Sequence, residues 1–142
     1  MGGRRMKRMG GVFWLVALLA VVGVRPASAQ SPDRTIWDGV YTEAQATRGQ
    51  RAAQQNCGSC HSPTEWSSAV FITSWTGHSI HELHSHLRST MPFDSPGRLT
   101  REQYSDIVAY MLKLNDVPTG TQELPSDEEE LQRIEVTRKK SR

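Results

Sequence analysis

Two cysteines, three positions apart and followed directly by a histidine, constrain this chain more than any other feature. Residues 57–61 read Cys-Gly-Ser-Cys-His and contain both cysteines of the 142-residue sequence. This pattern is typical of the covalent attachment of a c-type haem. Each thiol can add across one vinyl group of the porphyrin as a thioether, while the histidine reaches the iron from the same face. We therefore predict Cys57 and Cys60 as covalent haem residues and His61 as an axial ligand of the iron.

A Cys-x-x-Cys pair has three other interpretations. A thioredoxin-like dithiol is expected within a βαβ pattern, which the surrounding sequence does not show. A zinc site needs a second pair of ligands at a finger-like spacing, and none follows downstream. A structural disulfide between residues so close together would constrain the unfolded chain little. Haem attachment is the favoured interpretation, and the other three remain open.

Residues 1–29 have the pattern of an export signal. Basic residues between positions 4 and 8 precede an apolar run from Val12 to Val24, and Ala27-Ser28-Ala29 is a typical cleavage site. We predict cleavage after Ala29 and a periplasmic location. The apolar run of about 13 residues is shorter than the roughly 20 residues that span a bilayer. An uncleaved segment that anchors the protein in a membrane remains an alternative.

The predicted signal also determines the charge balance. The whole chain has a formal net charge of +2, but residues 30–142 carry 12 basic and 15 acidic residues. No excess of positive charge is left for a nucleic-acid partner. The remaining length predicts a single folded domain over residues 30–125, followed by a charged tail over residues 126–142.

Capping patterns and apolar spacing predict three main helices. The sequence Thr42-Glu43-Ala44-Gln45 fits a capping box and predicts a helix that ends near Asn56 and leads into the motif. Periodic apolar residues predict a second helix over residues 79–89. A second capping box at residues 100–103 begins the last helix. Residues 62–77 lack periodicity and predict a loop. With no convincing strand, the fold class is all-α, with three main helices packed around one covalent haem.

The second axial ligand of the iron must come from elsewhere in the chain. Met91 follows the second predicted helix, and Pro92 keeps it extended, so a loop could place its thioether over the far face of the ring. Met111 lies on the apolar stripe of the last helix, where methionine is usually core. A histidine in place of Met91 would give a bis-histidine haem of lower potential. The histidine candidates are His78, His81, His84 and His86. We predict Met91, and a histidine or an open site remain alternatives.

Together, these residues resemble a class I mono-haem cytochrome c. The resemblance is closer still to small bacterial cytochromes that accompany, or are fused to, quinoprotein dehydrogenases. It covers about residues 37–125, through Asp38-Gly39-Val40-Tyr41-Thr42, Gln45-Ala46, Arg48-Gly49, Met91-Pro92, Pro96-Gly97, Tyr104 and Ala109-Tyr110-Met111-Leu112.

The resemblance implies a periplasmic electron carrier rather than an enzyme. It would cycle one haem c between Fe(III) and Fe(II), taking electrons from a dehydrogenase and passing them to another cytochrome or an oxidase. The rival hypotheses are a five-coordinate or bis-histidine haem protein that senses or transforms a gas or a peroxide, and a dithiol oxidoreductase without haem.

The resemblance also implies particular packing. Gly49 would be the point at which the first helix crosses the last, near Tyr110. Trp66 and Trp75 are candidates for the wall of the haem pocket, with simple core packing as the alternative. The chain departs from its relatives at Ala53, where an aromatic is frequent, and at Ser62-Pro63, where relatives usually carry a glycine and a longer loop whose proline supports the axial histidine.

Overall fold

The computed structural model describes residues 1–3, 33–67 and 69–139. The apolar run of the predicted signal, and its cleavage site after Ala29, lie outside the described residues. Within the described ranges, no helix has both the length and the apolar character needed to cross a bilayer.

The described residues form six α-helices and one minimal parallel strand pair. The strands β1 (Arg34–Thr35) and β2 (Ile134–Glu135) pair with each other, and a 3₁₀ turn spans Ile36–Asp38. The helices are α1 (Glu43–Asn56), α2 (Pro63–Trp66), α3 (Ala69–Trp75), α4 (Ile80–Thr90), α5 (Arg101–Leu114) and α6 (Glu128–Gln132). The all-α prediction is confirmed, and α1, α4 and α5 are its three main helices.

Side-chain caps determine where these three helices begin. The Thr42 hydroxyl accepts the backbone N–H of Gln45 at 3.1 Å at the start of α1. At α5, Thr100 and Gln103 each accept the other's backbone N–H, at 3.2 and 2.9 Å. These bonds satisfy backbone donors that a helix leaves unpaired at its first turn. The predicted starts of α1 and α5 are therefore confirmed.

The prediction of a loop over residues 62–77 was wrong, because two short helices lie there. Ser62 caps α2, Pro63 occupies its first position, and the Glu65 carboxylate accepts the Ser62 N–H at 2.9 Å. Proline suits this position because the first N–H of a helix has no partner within it. In α3, Phe71 and Trp75 are half-buried and pack against the main core.

The helices α1 and α5 cross at very short range. A Cβ atom at Gly49 would lie 1.7 Å from the carbonyl oxygen of Asp106. The predicted close approach at Gly49 is confirmed, and its contact is one turn before Tyr110. Beside it, the Arg48 guanidinium donates to both carboxylate oxygens of Asp106 at 3.0 Å and to both of Glu123 at 2.8 Å. The packing of these helices holds the end of α1, where the cysteines follow.

The C-terminal segment packs on the same core as the N-terminal one. The side chains of Leu131, Ile134 and Val136 are almost fully buried together with Ile36. The indole N–H of Trp37 donates to the carbonyl of residue 137 at 2.8 Å. Residues 126–139, expected to form a charged tail, therefore contribute three side chains to the core.

Candidate haem site

The cysteine motif continues α1 by one further turn. The backbone N–H of Cys57 donates to the carbonyl of Ala53 at 2.8 Å, and those of Cys60 and His61 donate to the carbonyl of Cys57 at 3.1 and 2.9 Å. Both thiols are free, with Cys57 half-buried and Cys60 exposed. Burial raises the pKa of the Cys57 thiol, an effect that the nearby positive charge of Arg98 partly offsets.

The glycine inside the motif is required by this turn. A Cβ atom at Gly58 would lie 2.7 Å from the carbonyl oxygen of Gln54, closer than real Cβ contacts. The motif can therefore follow α1 this tightly only with glycine at position 58.

His61 is held by a carboxylate. Its Nδ1 atom lies 2.9 Å from the Oε2 atom of Glu65, whose Oε1 atom accepts the Ser62 N–H. These hydrogen bonds hold the pKa of the Glu65 carboxyl below its usual value, and the bond from His61 has the largest effect. Because an ionised carboxylate can only accept, Nδ1 carries the hydrogen, so in the neutral ring Nε2 is the nitrogen with the lone pair. The ring also lies 5.8 Å, between centroids, from that of Trp66.

An apolar cavity lies beside the motif, between α3, α4 and α5. Its volume is about 240 Å³, slightly below the roughly 300–1,000 Å³ of typical ligand sites. Cys57, His61 and Met91 all line it. The apolar wall is formed by Trp66, Phe71, Trp75, Leu83, Leu87, Pro92, Leu99, Ile107 and Met111. An adjoining surface groove is also lined by Cys57, His61 and Met91, together with Cys60. The structure thus brings the four predicted site residues together.

Met91 is fixed through its backbone. It follows the last residue of α4, and its N–H donates to the carbonyl of Leu87 at 2.8 Å. Its own carbonyl accepts the Tyr104 hydroxyl at 2.6 Å. The next residue, Pro92, is buried and follows a cis peptide bond.

The other candidates for the second axial position differ in where they lie. Met111 lines the cavity but is only 2% exposed and packs against Ala53 and Ile107. Of the four histidines, His86 lines the cavity, whereas His78, His81 and His84 do not. His84 is buried elsewhere, with Nε2 3.1 Å from the carbonyl of Arg101.

Two residues of the site were missed by sequence reasoning. Tyr104 on α5 donates to the Met91 carbonyl, and no local sequence pattern predicts that hydrogen bond. Glu65 could have been found, because Ser62 and Glu65 have the capping-box spacing used to predict other helices. Trp66 and Trp75, predicted as wall residues, both line the cavity.

The donor set and the wall fit a haem. One thiol, an imidazole and a thioether line an apolar space, and the second thiol lies on the adjoining groove. Thioether and imidazole are established axial ligands of haem iron. The zinc alternative lacks support, since the described parts of the chain contain no cluster of three or more His, Cys, Asp or Glu side chains able to hold a metal ion.

Comparison with known families agrees with this arrangement. Residues 44–111 match the family described as cytochrome c oxidase, cbb3-type, subunit III. The matched segment runs from α1 into α5 and includes both the cysteine motif and Met91. No curated protein and no solved structure shows significant similarity to the chain. The match supports a c-type cytochrome domain over residues 44–111, and a domain of this kind implies a covalently bound haem c with its iron.

Proposed function

We propose that the protein is a periplasmic electron carrier that attaches haem c through Cys57 and Cys60 and ligates its iron with His61 and Met91. The observation that carries this proposal is the convergence of Cys57, His61 and Met91 on one apolar cavity, with Cys60 on the groove that adjoins it. When bound, haem c supplies one-electron chemistry, gaining an electron as Fe(III) and losing it as Fe(II).

Some side chains of the site would ligate the iron, and others would exclude water from it. His61 offers Nε2, since its Nδ1 hydrogen is directed to Glu65. Met91 offers a soft thioether, which favours the ferrous state relative to a second histidine. The apolar wall excludes water, so that little solvent has to reorganise when the charge of the iron changes. With both axial positions filled, no substrate binds the iron, and the site transfers electrons only.

The identity of the partners follows from resemblance. A periplasmic dehydrogenase, of the quinoprotein kind, is the proposed donor, and another cytochrome or an oxidase is the proposed acceptor. The protein reaches the periplasm by export and cleavage after Ala29, and it remains at a membrane only if the N-terminal segment is retained.

The ligation is tested with the purified holoprotein. A pyridine haemochrome spectrum should show covalent haem c, and the reduced protein should bind carbon monoxide slowly or not at all. Met91→Ala should lower the midpoint potential and permit rapid binding of carbon monoxide. Met111→Leu is the matched control, which should retain both properties of the wild type.

Other outcomes would reassign the site. Rapid, stoichiometric binding of carbon monoxide by the wild type would indicate an open position and a gas- or peroxide-binding function. A Met91→Ala variant with unchanged potential, combined with a changed potential in His86→Ala, would indicate bis-histidine ligation, because His86 is the histidine of α4 that lines the cavity.

A further inference from the structure

We propose that Glu65 is a positioning residue for the axial histidine: it fixes the ring of His61 and increases the electron donation of that ring to the iron. This inference rests on the proposed function, in which His61 is a ligand. Glu65 would act only through His61 and would not itself touch the haem.

The geometry anchors the carboxylate at both oxygens. Oε2 accepts the Nδ1 hydrogen of His61, and Oε1 accepts the Ser62 N–H, each at 2.9 Å. Ser62 and Glu65 are the two ends of the capping box of α2. The carboxylate therefore cannot turn away from His61 without also uncapping the helix.

The nature of the acceptor determines the electronic effect. A ligating histidine that donates its second ring hydrogen is oriented by the acceptor and becomes a more basic ligand. A carboxylate carries a full negative charge, so it has a stronger effect than a neutral backbone carbonyl. A more basic ligand stabilises Fe(III) relative to Fe(II), so Glu65 lowers the midpoint potential.

The chain contains an internal counterpart of this arrangement. Residues 61–65 read His-Ser-Pro-Thr-Glu, and residues 78–82 read His-Ser-Ile-His-Glu. In the second segment, Nδ1 of His78 lies 3.1 Å from Glu82, whose carboxylate also accepts the N–H of the capping serine, Ser79. His78 does not line the cavity. The same local geometry thus occurs once beside the cavity and once away from it.

The second segment supplies a matched control. We would compare the holoproteins of the wild type, Glu65→Gln and Glu82→Gln by redox titration. In Glu65→Gln, the ratio of reduced to oxidised protein at a fixed ambient potential should rise by up to about tenfold, or about 59 mV for a one-electron couple. Glu82→Gln makes the same change in the second segment, where the glutamine Oε1 can still accept the Ser79 N–H, and it should keep the wild-type potential. The electron paramagnetic resonance spectrum of the oxidised haem should change in Glu65→Gln alone.

The possible failures are distinguishable. Equal potentials and spectra in all three proteins, with haem attached, would overturn the role of Glu65 and leave the proposed function intact. A wild-type protein without covalent haem, or a His61→Ala variant with the wild-type spectrum, would overturn the proposed function itself. If Glu65→Gln fails to take up haem, the inference is tested in the wild type, by measuring hydrogen exchange at the imidazole nitrogens with nitrogen-15 resonances. A slowly exchanging Nδ1 hydrogen on His61 supports the inference, and one exchanging as fast as that of the exposed His86 overturns it.

Discussion

The hydroxyl of Tyr104 donates a hydrogen bond of 2.6 Å to the backbone carbonyl of Met91. The N–H of Met91 is bonded in turn to the carbonyl of Leu87, so both backbone polar groups of residue 91 are paired. Tyr104 is only 1% exposed and lies on α5, which also crosses α1. The position of the proposed methionine ligand is therefore coupled to the same helix that holds the cysteine motif.

Replacing Tyr104 by phenylalanine should loosen Met91. The variant leaves the Met91 carbonyl with only the longer bond of 3.4 Å from the Gly97 N–H, and we expect the free energy of unfolding to fall by about 1 kcal/mol. The reduced holoprotein should also bind carbon monoxide faster than the wild type, measured by rapid mixing. Tyr110→Phe makes the same chemical change on α5 at a residue that does not line the cavity, and it should leave the rate unchanged. Equal rates in Tyr104→Phe and the wild type would contradict the coupling.

Gly49→Ala should destabilise the protein, although alanine has a higher intrinsic helix propensity than glycine. Within a helix, alanine is normally favoured over glycine by about 1 kcal/mol. Here the added methyl would lie 1.7 Å from the carbonyl of Asp106, so α1 and α5 must separate. We expect a loss of about 3 kcal/mol or more in the free energy of unfolding, by analogy with overpacked cores. The control Gln55→Ala, at an exposed position of α1, should change it by less than about 0.5 kcal/mol. A stabilised Gly49→Ala variant would refute the close crossing.

The buried amide of Gln45 should be required for the C-terminal segment to dock. Its Nε2 donates to the carbonyl of Leu124 at 2.9 Å, and its Oε1 accepts the N–H of Leu124 at 2.7 Å. Gln45→Leu leaves both backbone groups unpaired and should lower the free energy of unfolding by about 2–3 kcal/mol. Hydrogen exchange should show weaker protection at Leu124. Gln55→Leu on the same helix serves as the exposed control, and similar stabilities for the two variants would contradict the prediction.

His84 should make stability depend on pH in mildly acidic solution. Burial lowers its pKa from the usual value of 6.5, because the folded protein disfavours the charged imidazolium. The contribution of the neutral ring is complete above pH 6.5 and is lost as the pH falls towards the lower pKa of the folded state. The free energy of unfolding should therefore fall with decreasing pH by up to about 1.4 kcal/mol per pH unit.

Denaturant titrations between pH 5 and 8 test this dependence. His84→Gln can still donate to the carbonyl of Arg101 but does not titrate, so its stability should vary less with pH than that of the wild type. His86→Gln, an exposed replacement on α4, should keep the wild-type dependence. Identical pH profiles for the wild type and His84→Gln would exclude His84 as the source.

The main helices could be predicted because their signals are local. Thr42 and Thr100 each precede a residue of the capping type by three positions, and the apolar spacing of α4 and α5 extends over several turns. The motif likewise predicts Cys57 and His61 as haem residues without any tertiary information. Met91 was a stronger candidate than Met111 from sequence alone, but its proximity to the motif became visible only in three dimensions.

The remaining features depend on contacts between distant segments. The residues of α3 include Val70, Ile72 and Thr73, whose branched side chains disfavour helices, and burial of Phe71 and Trp75 against the core compensates. Strands of two residues have no alternation to detect, and β1 and β2 are separated by about 100 positions. Glu65 contacts His61 because α2 forms. The prediction of a loop over residues 62–77 therefore also missed that hydrogen bond.

The pairing of β1 with β2 has a consequence for how the protein can be attached to anything else. Arg34 lies opposite Ile134, and Thr35 opposite Glu135, so the described domain begins and ends at one place. None of these residues lines the cavity or its adjoining groove. A tether to a membrane, an electrode or a fused protein would therefore hold the domain by the same side, whether it is attached before residue 33 or after residue 139. Either tether would lie apart from the residues through which electrons are proposed to pass.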